Sequence, residues 1–436
     1  MAKVINVSFS PPLSSGSSAV QRQIENLESP NPRIRSQAAE DLGKLGAQEA
    51  VSALVECLQQ DVNTYVRSAT AEALGWIGDA GAIFPLMDAL RDSCSFVRRA
   101  SAIALGQMQA KEAQGALLRT LEDSNFYVRR ASINAIGKLG IPDLGAQLVH
   151  FLETPDPRIR RTAIIALRRL GASEAVPQMM AMLEQYLIEP SQRDLPVVKT
   201  LVVALGEMEA VEAVPSLVRV LRGYVGVRSL TAKALGRIGD PQAAVALIEA
   251  LKDEKSRNLQ LTALKSLGDL GYEQASPAIR PFLDELDPRL RRTAALTLGM
   301  LRDREATPKL LAMAKDDDSP LVRPSAVEAL GQVGDASLIG QLLPFVDDSN
   351  AYLRAALARA LSTLDGDTPE VRAVLQQLEQ DTVRHVAIAA GRALANCDAP
   401  VRARKKQEKD AAPDPDSCPE PDKRHVSWLR RFLGRN

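Results

Sequence analysis

Aromatic residues make up only 4% of this chain of 436 residues, and there are just four cysteines and three histidines. The cysteines (Cys57, Cys94, Cys397 and Cys418) form no C-x-x-C pair and lie far apart, which excludes a disulfide framework and a cysteine zinc site and leaves reduced thiols. Cys94 is expected to be a buried, inert thiol. His150, His385 and His425 are scattered, with no H-E-x-x-H spacing. Neither sign of charge is in excess: 54 basic residues face 54 acidic ones, so global attraction to nucleic acid or to an anionic membrane has no support. No apolar run approaches the length of a membrane span, and no basic-then-apolar leader opens the chain. A cytoplasmic, soluble protein is the expectation. A glycine-rich phosphate loop and a nucleophile elbow are also missing, so no catalytic constellation stands out; cofactors and metals are not expected.

What the chain has instead is a phrase that returns roughly every 31 residues: Val-Arg, a few residues, Ala-Leu-Gly, then a hydrophobic residue and often a second Gly. Gly43, Gly75, Gly106, Gly137, Gly206, Gly236, Gly268, Gly299 and Gly331 mark it, with Arg168 in the slot between Gly137 and Gly206. Such a period means stacked two-helix units. The second helix of each unit starts at Val-Arg and places apolar residues on one 3.6-residue face, as with Val66, Ala69, Ala73, Leu74 and Ile77. The recurrent Gly permits close helix approach despite its cost in helix propensity. Proline opens several first helices (Pro85, Pro177, Pro215, Pro277, Pro308), where its missing N–H costs little. An Asp five residues before the Val (Asp61, Asp92, Asp123, Asp317, Asp348) is suited to capping the second helix or orienting its loop. The fold expected is an all-α, right-handed α-solenoid of about twelve two-helix repeats.

Four segments follow from composition: a Ser- and Pro-rich arm over 1–18, the solenoid over 19–396, a charged linker over 397–422 and a basic amphipathic peptide over 423–436. The unit near 183–196 carries extra residues and loses the Arg of the phrase at Val197-Val198. It reads either as a longer loop at a change of curvature or as a partner-contacting loop or hinge.

The phrases Tyr65–Asp79 and Val227–Asp240 resemble HEAT-like repeats of the phycobilisome-lyase class, and the resemblance covers roughly residues 20–395. It implies that the second helices line a concave face. It also implies kinship with adaptor proteins and with phycobilin lyases, which attach bilins to cysteines of phycobiliproteins. The His-Cys pair of the isomerising lyases has no counterpart here.

The Arg of the phrase (Arg35, Arg67, Arg98, Arg129, Arg160, Arg228, Arg291, Arg323, Arg354) recurs too regularly for a ligand site and reads as a structural ladder to carboxylates or carbonyls of adjacent units. The next position varies. It is cationic in four consecutive units, at Arg99, Arg130, Arg161 and Lys199, which should form a stripe with roughly 10 Å between members. Lys138, Arg169 and Trp76 hold one exposed offset further along the same helices, and Phe96 and Tyr127 precede the Val. Cations beside rings suit an acidic protein surface with a hydrophobic anchor, or an anionic ligand with a flat apolar part; a solvated charged face is the plain alternative. In the tail, Trp428, Leu429, Arg430, Arg431 and Phe432 belong to a short basic amphipathic segment fitted to weak membrane-surface contact or partner docking.

The function expected is a non-catalytic scaffold or adaptor that binds an acidic protein partner. The alternatives are a phycobilin lyase or bilin chaperone, with bilin as cofactor, phycobiliprotein as partner and the bilin propionates on Arg99, Arg130 or Arg161, and, less favoured, a nucleic-acid binder.

Overall fold

The computed structural model describes residues 15–189, 191, 193–364 and 368–410. The expected docking residues Trp428, Leu429, Arg430, Arg431 and Phe432 lie outside them. Among the described residues there are twenty-three α-helices, fifteen short 3-10 turns and no strand. With 3-10 turns standing for the first helix of the fifth repeat, the elements alternate as twelve pairs, and the chain is an all-α solenoid. It divides into two compact units, residues 1–278 and 279–436. The first helix opens at Ser15, inside the stretch read as an arm, and the last, Arg384–Asp410, continues through residues 397–410, read as linker.

The second helices of the first unit are Pro32–Leu45, Thr64–Ile77, Ser95–Gln107, Phe126–Leu139, Pro157–Leu170, Leu195–Glu207, Arg228–Ile238 and Arg257–Leu270. The Leu before the first Gly of the phrase (Leu42, Leu74, Leu105, Leu205, Leu235, Leu267) is wholly buried, as is Leu167 in the phrase that ends in Arg168. Each such Leu contributes about 2 kcal/mol by leaving water. In the second unit Leu298 and Leu330 do the same.

The two glycines of the phrase serve different ends. The first lies against the Ala of the next second helix: a Cβ on Gly75 would meet the Ala104 Cα at 2.7 Å, and one on Gly137 the Ala166 Cα at 2.6 Å. The second ends the helix in the left-handed conformation, as at Gly46, Gly140 and Gly171 with φ of 64–66°.

The phrase Arg is an inter-repeat clasp. Arg67 donates from Nε and Nη2 to both oxygens of Asp92 in the next repeat, at 2.7 and 2.8 Å, and from Nη1 to the Asp61 carbonyl of its own repeat at 2.8 Å. Arg35–Asp61, Arg98–Asp123, Arg291–Asp317 and Arg354–Asp381 repeat the two-toothed grip. The Asp is therefore not the helix cap. It accepts the N–H of the residue two places on, as Asp61 does from Asn63 at 2.8 Å, and so orients the loop. Asn63, Asn125 and Asn350 are the side-chain caps.

These cements fail together around the fifth and sixth repeats. Thr154 stands in the Asp slot, so Arg129 reaches only the carbonyls of Asp123 and Ser124. Arg160 comes no nearer than 3.9 Å to Asp194, and its buried Nε has no acceptor. Arg168, in the glycine slot, crosses to Glu207 instead. The first helix of the fifth repeat is reduced to the 3-10 turns Pro142–Leu144 and Val149–Leu152. The extra residues of the sixth repeat partly lengthen its first helix, Val176–Ile188, so the connection to Leu195 is shorter than the sequence implied.

Candidate functional site

The variable position after the phrase Arg lies one turn into the second helix. In the third to sixth repeats its side chain clears the core and faces outward, whereas Pro324 and Ala355 at the same position of later repeats are buried. On helices Ser95–Gln107, Phe126–Leu139 and Pro157–Leu170 this puts Arg99, Arg130 and Arg161 around a cavity of about 360 Å³. Arg158 and Arg169 also line it, and Tyr127, Asn134 and Thr162 complete its polar wall. Among the described residues no carboxylate lines it. Five guanidinium groups around one concavity, in a chain with no net charge, make it a local positive centre.

The five are not equivalent. Arg158 grips Asp156 with two hydrogen bonds of 3.2 and 2.9 Å and lies 4.4 Å over the Phe126 ring, so its charge is largely neutralised. Arg169 donates to the Asn134 amide oxygen at 2.9 Å, which fixes its direction without neutralising it. Arg161 has only a long contact of 3.4 Å to the Thr200 hydroxyl. Arg99 sits 5.9 Å from the centre of the Tyr127 ring, and that ring meets Phe126 edge-on. The Glu72 carboxyl, on the preceding second helix, is raised above its usual range by burial, with the charge of Arg99 opposing. Arg99, Arg130 and Arg161 form no ion pair among the described residues.

The structure thus brings Arg99, Arg130, Arg161, Arg169 and Tyr127 together. Four other positions read from the sequence stand off the cavity. Lys199 is exposed on the next second helix, Lys138 is half-buried near the end of Phe126–Leu139, and Phe96 is exposed beside the preceding turn. The Trp76 ring packs over Gly43, where a Cβ would lie 2.8 Å from it. Arg158 was missed because it occupies the aromatic slot of the phrase, where Tyr65, Phe96 and Tyr127 stand in earlier repeats. Asn134 lies one helical turn beyond Arg130, a spacing that could have flagged it. Cys94 is half-buried rather than buried. Among the described residues no cluster of His, Cys, Asp or Glu could hold a metal, and no helix is long and apolar enough to cross a membrane.

The HEAT repeats family matches residues 20–106, 85–150, 115–187, 245–331 and 317–395, most of the chain. The protein is a HEAT-repeat protein. The PBS lyase HEAT-like repeat matches residues 227–253, which places it in that repeat class. This HEAT-repeat chain is 35% identical over 159 residues to phycocyanobilin lyase subunit alpha of Picosynechococcus sp., covering 33% of this chain and 59% of that protein. It is 30% identical over 164 residues to the bilin biosynthesis protein PecE of Mastigocladus laminosus, covering 36% and 61%. It is 34% identical over 103 residues to deoxyhypusine hydroxylase of Gallus gallus, covering 23% and 33%. The chain therefore spans less than two thirds of the length of each of these relatives. Importin beta shares the fold, with a TM-score of 0.62 at 14% identity over 88% of this chain and 62% of that one. Yeast importin-beta (Kap95p) does so with 0.59 at 14% identity over 90% and 64%. At that identity the likeness concerns the fold alone.

Proposed function

We propose that this HEAT-repeat protein is a non-catalytic scaffold whose second-helix face, centred on Arg99, Arg130 and Arg161, binds an acidic protein partner. The carrying observation is a cavity lined by five arginines and no carboxylate, four of the five forming no ion pair among the described residues. Rigid, repeat-borne positions lose little ordering entropy on binding, and a row of guanidinium forks suits carboxylates. Titration of the full chain with labelled poly-glutamate, beside a variant combining Arg99→Glu, Arg130→Glu and Arg161→Glu, tests it. Saturable binding lost in the variant supports the reading; equal binding by both, with matching circular dichroism, overturns it.

A second reading is handling of a bilin. It is favoured by the phycocyanobilin lyase relative and by Tyr127 beside Arg99, where a flat tetrapyrrole could lie with its propionates on the arginines. An absorbance change on mixing with phycocyanobilin, lost in the same variant, would favour it over the plain scaffold. Nucleic acid would betray itself by a steep salt dependence of affinity. A cytoplasmic location and weak membrane contact by the C-terminal peptide stay within this proposal.

A further inference from the structure

The acidic-partner reading leaves the shape of the partner open, and two parallel rows on this face narrow it. On each second helix the residue three places before the stripe position lies one turn away on the same side, so the two share a surface strip. The pairs are Tyr65 with Ser68, Phe96 with Arg99, Tyr127 with Arg130 and Arg158 with Arg161. The rings are open to solvent, with Tyr65 73%, Phe96 58% and Tyr127 52% exposed. One row is therefore aromatic through the second to fourth repeats, and its neighbour is cationic through the third to fifth.

The rows advance one member per repeat. Gly75 against Ala104 and Gly106 against Ala135 keep the helices in direct contact, so the step falls in the usual interaxial range, roughly 8–10 Å. A polyproline-II segment advances about 9.3 Å in the three residues of one turn, and it shows every third side chain on the same edge. Such a segment running along the solenoid would set one edge on the cations and an adjacent edge on the rings, repeat after repeat. An α-helix with an acid at every seventh residue advances about 10.5 Å, longer than the step, and a helix about 10–12 Å across stands off a cavity of about 360 Å³ that a slim extended chain can line closely.

We infer that the partner segment is an extended, proline-rich acidic stretch, with an acid at every third residue on Arg99, Arg130 and Arg161 and its prolines against Phe96 and Tyr127. This rests on the acidic-partner reading and adds register and conformation to it. Aromatic-lined grooves are a known solution for polyproline-II ligands, and charge complementarity to an unpaired arginine row selects the acidic ones.

The test uses fluorescence anisotropy of labelled peptides against the full chain. One peptide repeats Pro-Ala-Asp four times. A second has the same composition with the aspartates bunched at one end, and a third is an alanine-rich helix with an acid at every seventh residue. The regular triplet is expected to bind at least tenfold more tightly than the other two. Tyr127→Ala and Arg130→Gln should each weaken it several-fold, while Lys138→Gln leaves it unchanged. Equal binding of the triplet and the bunched peptide overturns the register but leaves the acidic-partner reading standing. Preference for the helix overturns the extended conformation, and no binding of any of the three, nor of poly-glutamate, removes both.

Discussion

Gly106 faces Ala135 so closely that a Cβ added to the glycine would lie 2.7 Å from the Ala135 Cα and 2.8 Å from its Cβ. The neighbour is backbone on a packed helix and cannot swing away. Gly106→Ala gains about 1 kcal/mol of helix propensity but incurs about 1–3 kcal/mol of overpacking, so a net loss of stability is expected. Gly115, where an added Cβ would meet nothing within 4 Å, is the control. There the same change should stabilise by a few tenths to about 1 kcal/mol. Thermal or urea unfolding of the two variants checks the opposite signs.

Arg98 holds Asp123 across a repeat boundary with bonds of 2.7 and 2.9 Å, at side-chain exposures of only 15% and 9%. Removing one partner strands the other. Asp123→Ala should cost about 3 kcal/mol, more than any exposed ion pair of this chain. The gap in the ladder offers the converse. Thr154 stands where an Asp would meet Arg129, so Thr154→Asp should add a clasp and raise the unfolding midpoint. A lowered midpoint for that variant would mean that the fifth repeat sits too far away for the grip to form.

The clasps also set how the fold meets acid. The Arg98 fork holds the Asp123 carboxyl below its ordinary range, aided by the Asn125 N–H and opposed by burial. At Asp61 and Asp92 burial pushes upward, but the Arg35 and Arg67 forks and a backbone N–H outweigh it, and both end lowered. Unfolded aspartates take up protons near pH 4, before the folded ones do, so falling pH favours the unfolded chain. The contribution is complete above about pH 4 and is lost as pH drops toward the depressed folded values. The unfolding midpoint should be nearly flat from pH 7 to 5 and fall steeply below 4. A midpoint unchanged down to pH 3 would deny the clasps this role.

Much of this was legible in the sequence because one local pattern recurs. The Ala-Leu-Gly phrase carries both the buried Leu105 and the close approach at Gly106, and the recurrence of Arg98 marked it as structural. What the pattern concealed was division of labour between neighbours. Asp61 and Asn63 both suit a helix start, and only the geometry shows Asn63 capping while Asp61 serves the Arg35 of the preceding repeat. The site was half legible. Arg99, Arg130 and Arg161 share a repeat position and so a surface. Arg158 reaches the same cavity from the aromatic slot, by a change of residue type that repeat logic sets aside. Trp76 shared an offset with Lys138 and Arg169, yet its ring covers the helix contact at Gly43, because an aromatic at that offset finds apolar surface where a cation finds water.

The pair Asp156 and Arg158 gives a way to strengthen the cavity rather than weaken it. Asp156 both caps the helix Pro157–Leu170, accepting the Arg158 N–H at 2.8 Å, and ties down the Arg158 guanidinium at 3.2 and 2.9 Å. Asn caps helices about as well as Asp, so Asp156→Asn keeps the helix start while releasing the guanidinium and removing a negative charge beside it. Arg158 is exposed and Asp156 only half-buried, so the pair's own contribution to stability is small, within about 1 kcal/mol. Arg158 then joins Arg130 and Arg161 as an uncompensated cation at the mouth. Affinity for an acidic segment should rise two- to fivefold at low salt, with the gain shrinking as salt screens it. Because Arg158→Gln lacks the released charge, adding it to Asp156→Asn should abolish the gain. Titrations of the two variants with the same acidic peptide at two salt concentrations decide the matter; a gain that survives Arg158→Gln would place the acid's contact elsewhere on the face.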